Sequence, residues 1–223
     1  MYYSATPSKT LPKFRRHQPG LPRVPITLTA LRALVPANTR ITATTALAIA
    51  GKQADALVGL HAARDGSRLP ISESLITGIR RLRVIDTDQR LPGSHAWNTT
   101  TRQFNIELAK TEAPERRFAL THEFKHILDY GRTAQLYADS SIMSAAELSE
   151  LAADFFAANF LVPTQWLTAA WNVGTRTTKE LARLFLVSEH VIRDRLEQTG
   201  LASGDGSPSS NTNGTELSSP TPK

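Results

Sequence analysis

The sequence predicts an α+β fold, mainly helical, with a small antiparallel sheet and a helix-turn-helix-like segment behind it. Three observations carry this. Residues 81–108 contain three short runs of strand character, Leu82-Arg-Val-Ile85, His95-Ala-Trp97 and Gln103-Phe-Asn-Ile-Glu-Leu108. In the last of these Phe104, Ile106 and Leu108 alternate with polar neighbours, as a half-buried strand requires. Segments before and after have helical composition with capping signals, and residues 178–198 read as two short helices about Leu186-Val-Ser188.

In chain order, the first 25 residues hold five Pro and no apolar periodicity, and residues 202–223 are rich in Ser, Gly, Pro and Thr. Neither stretch can bury enough surface to fold, so both are expected to be disordered tails. Residues 26–172 are expected to form the main domain, beginning with helices over 27–34 and 43–63 parted by Pro36-Ala-Asn-Thr39. Asn98-Thr-Thr-Thr101 supplies the turn between the second and third strands. A helix over 118–130 ends at Gly131, and Ser144-Ala-Ala-Glu147 is a capping box that opens another helix, stopped by Pro163. Residues 173–201 form the helix-turn-helix-like part, with Ser188 capping its second helix and Gly200 ending it.

The chain of 223 residues is long enough for one domain with a sizeable core plus tails. It has no Cys, which excludes a disulfide framework. It also lacks any apolar run near the roughly 20 residues of a membrane span and the short apolar stretch of a secretory signal. A cytoplasmic protein is the expectation. The net charge of +6 is unevenly placed: eight basic residues precede the first acidic one, Asp55. Residues 1–54 therefore carry +8, and +6 less +8 leaves −2 for the rest. A basic patch on the folded part, and with it direct nucleic-acid binding there, is not indicated.

The chemistry is concentrated in His122-Glu-Phe-Lys-His126. On a helix the two His, four apart, share a face with Cβ atoms about 5–6 Å apart, close enough to hold one ion. Glu123, turned by roughly 100°, stays out of the ligand pair but beside the open position, where a general base belongs. A catalytic site of this design needs a third protein ligand. Glu147, Glu150 and Asp154 share a face of the following helix. Glu147 is accounted for by its capping box, so Glu150 is the favoured ligand. Asp154, one turn on, is placed to accept from the free nitrogen of a ligating His. The whole is the arrangement of a metal-dependent peptidase.

Arg117-Phe-Ala-Leu-Thr-His-Glu-Phe-Lys-His-Ile-Leu-Asp129 followed by Glu150-Leu-Ala-Ala-Asp-Phe-Phe-Ala-Ala-Asn-Phe-Leu-Val-Pro163 resembles the ImmA/IrrE metallopeptidase family over about residues 75–200. The resemblance implies a zincin-like core binding one Zn2+ through His122, His126 and Glu150, with Glu123 as the catalytic base. It also implies a protein substrate, a specific transcriptional repressor of the helix-turn-helix kind. Lys125 stands where the family often has a small residue; a Lys at this middle position can point to solvent, so the site is expected to tolerate it.

Two further side chains are candidates for transition-state or substrate contacts. Tyr130 follows His126 by four residues, and His95 lies in the stretch 94–97, the candidate edge strand for holding an extended substrate. The alternative function is a DNA-binding regulator with a structural metal site, its second short helix presenting Glu189, His190 and Arg193, with Arg195 behind. A glutamate in that first turn is unfavourable near phosphates, and in the resembling family this segment serves as scaffold.

Overall fold

A computed structural model of the chain describes residues 27–36, 41–138 and 143–201. The expected tails, and residues 37–39 of the expected break, lie outside the described residues. Two helices open the fold, α1 (Leu28–Arg32) and α2 (Ala43–Asp65), followed by a short α3 (Ser74–Thr77). The sheet follows as β1 (Leu82–Thr87), β2 (Gly93–Asn98) and β3 (Gln103–Ala109). Then come α4 (Ala113–Asp129), α5 (Thr133–Tyr137), α6 (Ala145–Leu161), α7 (Thr164–Asn172), α8 (Thr178–Phe185) and α9 (Glu189–Thr199). The fold is α+β, mostly helical with one small sheet.

The sheet is mixed where an antiparallel one was expected. Its order is β1-β3-β2, with β2 antiparallel and β1 parallel to β3. β3 takes the centre because it carries the most deeply buried face, Phe104, Ile106 and Leu108. β2 and β3 form the expected hairpin, which leaves β1 on the far side of β3 and running the same way.

α4 lies on this sheet and α6 lies on α4. Leu120, Phe124, Ile127 and Leu128 of α4 share one core with the inward residues of β3 and with Phe156 and Phe160 of α6. α6 begins as its sequence signal requires: Ser144 Oγ accepts from Glu147 N, and the Glu147 carboxylate accepts from Ser144 N at 2.8 Å. α4 begins earlier than expected, at Ala113, with Pro in its first turn and Glu115 beside the positive end of the helix dipole. It ends at Asp129, leaving Tyr130 outside the helix with φ −52° and ψ 125°.

α8 and α9 meet at Leu186, whose φ of 54° turns the chain, and Ser188 caps α9 by accepting from Val191 N. Two arginines fasten this pair to the rest. Arg117 of α4 donates to Leu186 O at 3.1 Å, and Arg195 of α9, 2% exposed, donates to Val162 O at 3.1 Å and Thr164 Oγ1 at 2.7 Å. Among the described residues no helix is long and apolar enough to cross a membrane.

Candidate metal centre and active-site cleft

The i, i+4 spacing on α4 brings the Nε2 atoms of His122 and His126 to 3.1 Å from each other. From α6, Glu150 places Oε2 3.2 Å from His122 Nε2 and Oε1 3.4 Å from His126 Nε2. Donor atoms about 2.0–2.2 Å from a tetrahedral ion stand roughly 3.4 Å apart. The observed separations match that value, and the donors, two imidazoles and a carboxylate, are of the right type for a divalent metal.

The far side of each ring is also held. His122 Nδ1 lies 2.8 Å from Asp154 Oδ1, and His126 Nδ1 lies 3.4 Å from Ser149 Oγ. Such partners fix ring orientation and leave Nε2 facing the centre. Burial lowers the pKa of His122, but the hydrogen bond and charge of Asp154, with Glu123 and Glu150 adding, outweigh it and raise the pKa from its ordinary value. Burial, with His122 nearby, holds His126 below its ordinary value. Glu147 takes no part: it is exposed and committed to Ser144, whose hydrogen bonds lower its pKa.

Glu123 points into the cleft from the same helix, nearly buried. Its Oε2 lies 2.7 Å from His95 Nδ1, and the His95 ring stacks on that of His126 at 5.3 Å. β2, an edge strand among the described residues, thus brings His95 directly onto the motif. Tyr130 is half exposed at the mouth of the same cleft, edge-on to Phe104 at 5.2 Å. The cleft beside the three donors is about 480 Å³, and its lining includes Ser94, His95, Tyr130 and Ser149.

Residues 87–197 match the family described as the IrrE N-terminal-like domain, Peptidase_M78. This chain carries an ImmA/IrrE-family metallopeptidase domain. A Mycobacterium tuberculosis transcriptional regulator of known structure aligns at 17% identity with a TM-score of 0.45, over 76% of this chain and 51% of that one. The chain therefore spans about half the length of that protein. No curated protein matches the sequence.

The ImmA/IrrE-family domain differs from its sequence reading at Lys125. Instead of pointing to solvent, this side chain is 1% exposed, its Nζ 2.5 and 2.6 Å from the Asp129 carboxylate and 3.3 Å from Tyr137 Oη. Tyr137 also donates to Asp129. Positions 125 and 129 lie on the helix face turned toward α5, so solvent is unavailable and the charge is met by its i+4 carboxylate. Burial lowers the Lys125 pKa and raises that of Tyr137.

Three positioning features of the domain escaped sequence reasoning. Ser149 is adjacent to Glu150 but looked like ordinary helix composition. Arg32 of α1 donates to Ile127 O at 2.6 Å and Leu128 O at 3.1 Å, capping carbonyls at the end of the motif helix. At Gly93 of β2 a Cβ would stand 2.8 Å from Glu123 Cγ, so only glycine lets the strand pass this close.

Proposed function

We propose that the protein is a zinc-dependent endopeptidase that cleaves one specific protein, a helix-turn-helix transcriptional repressor, in the cytoplasm. The observation that carries this reading is the position of Glu123. A carboxylate outside the donor set stands beside three convergent donors, anchored by His95 and open to a cleft. A structural metal site would be closed by a fourth protein ligand; among the described residues only three donors converge.

His122, His126 and Glu150 would hold the zinc, and one ion per chain is implied. When bound, zinc supplies Lewis acidity toward water and the scissile carbonyl. The protein's own groups do the rest. Glu123 accepts the proton of the attacking water and delivers it to the leaving amine. His95 holds the Glu123 carboxylate in place, while Asp154 and Ser149 orient the imidazoles. The free edge of β2 pairs with an extended substrate backbone, and Tyr130 at the cleft mouth contacts the substrate. Family membership supports a repressor as the target.

The regulator alternative loses one of its basic residues in the helix pair. Arg195, one of its offered basic residues, is buried and spent on Val162 and Thr164. The test is co-expression of the protein with each helix-turn-helix repressor of the same genome, scored for a new cleavage product. A product that appears with the wild type and is absent with Glu123→Gln supports the reading. Full cleavage by Glu123→Gln refutes it.

A further inference from the structure

Two clefts meet at His122 and Glu123. The second, about 610 Å³, lies within the range of roughly 300–1,000 Å³ of pockets built to hold ligands. Its lining is predominantly apolar: Leu91 from the β1–β2 loop, Phe118 from α4, Leu151, Phe155 and Ala158 from α6, and Val191 from α9. Leu91 and Leu151, on its two lips, are two of the six large apolar side chains that stand exposed among the described residues. Side chains of this kind lining one pocket mark a binding surface. The ionisable part of the lining is mostly acidic, with Glu115, Glu123, Asp154 and Asp194 against His122 and His190, and no Lys or Arg lines it.

We infer that this cleft is the specificity pocket of the peptidase, taking a large aliphatic or aromatic side chain next to the scissile bond, with α9 as its outer wall. The inference rests on the peptidase reading and extends it to substrate class. It gives the helix pair a role that DNA contact does not. Arg117 and Arg195 fix the pair against α4 and α7, and Thr178 Oγ1 donates to Glu189 at 2.8 Å across the turn. α9 is thereby held rigidly enough to present Val191 and Asp194 to the pocket. An apolar side chain is favoured by the lining, and an acidic one is disfavoured by the four carboxylates, which outnumber the two histidines.

The test compares three probes on the zinc-loaded full chain by calorimetric titration. These are acetohydroxamate, a succinyl hydroxamate bearing an isobutyl side chain, and its carboxymethyl analogue. The isobutyl compound is expected to bind tighter than acetohydroxamate by roughly tenfold or more, the size expected for burying a leucine-like side chain. The carboxymethyl compound is expected to show no such gain. Asp194→Trp fills the pocket from α9 and Leu151→Asp charges its lip; both positions are partly exposed, so the fold is retained. In both variants zinc content and acetohydroxamate affinity stay as in the wild type and the isobutyl preference is lost. No preference in the wild type, an equal gain for the carboxylate, or a preference that survives Asp194→Trp overturns the assignment. If neither hydroxamate binds the zinc-loaded chain, the peptidase reading itself fails, and this inference with it.

Discussion

His95 Nδ1 lies 2.7 Å from Glu123 Oε2, so the edge strand of the sheet sets where the glutamate of the motif helix points. A misplacement of about 1 Å in a reacting group can cost on the order of 10²-fold in rate. His95→Ala is expected to lower turnover of the protein substrate by that order while zinc content is unchanged. His95→Asn, which keeps a donor near Nδ1, recovers part of the loss. An unchanged rate in His95→Ala removes the strand from catalysis.

Glu123→Gln preserves size and one hydrogen-bond acceptor but removes the base. Cleavage falls by roughly 10²–10⁴-fold, and the zinc content and thermal midpoint remain those of the wild type. Quantitative gel analysis of product formation, with metal analysis on the same samples, checks both halves.

The pH dependence of metal binding follows from His122. Its folded pKa is raised above the ordinary 6.5 through Asp154. In the metal-free chain the protonated His122–Asp154 pair therefore contributes stability that is full below 6.5 and is lost as pH rises through the raised value. Zinc needs the neutral imidazole, so its affinity runs the other way, falling as pH drops through the same value. Asp154→Ala moves that fall to lower pH and weakens zinc retention against a chelator by about 10–100-fold above it. Chelator competition across pH reads both effects. Equal retention by wild type and Asp154→Ala contradicts the placement of α6.

Lys125 and Asp129 form a buried pair with Tyr137 behind the motif helix. Removing one partner of such a pair typically costs about 3–5 kcal/mol, whereas replacing both by apolar residues is often near neutral. Lys125→Met is therefore expected to lower the stability measured in urea by several kcal/mol, and Lys125→Met with Asp129→Leu to restore most of it. Additive losses in the double variant argue against the pairing.

What the sequence shows and what it hides follow from the range of the forces involved. β3, the capping box of α6 and the stop at Pro163 are local, written in alternation and in residues three apart, and the structure reproduces them. The convergence of His122, His126 and Glu150 was legible because helical spacing fixes two of them and a second motif supplies the third. The parallel run of β1 against β3 depends on the route of the connecting loop, which no periodicity records. The partnership of His95 with Glu123 and the fit of Gly93 against the same carboxylate join positions about 30 residues apart, where a lone His or Gly carries no pattern. Lys125 is the instructive error. Its i+4 carboxylate was visible, but its burial depends on Tyr137 and α5, which arrive from elsewhere.

The central claim is that His122, His126 and Glu150 hold one zinc, and metal analysis of purified protein tests it most directly. The wild type is expected to contain about one zinc per chain, and His122→Ala, His126→Ala and Glu150→Ala to lose it under the same purification, while Glu147→Ala keeps it. Full zinc in the Glu150→Ala protein, or in both single histidine variants, would contradict the account.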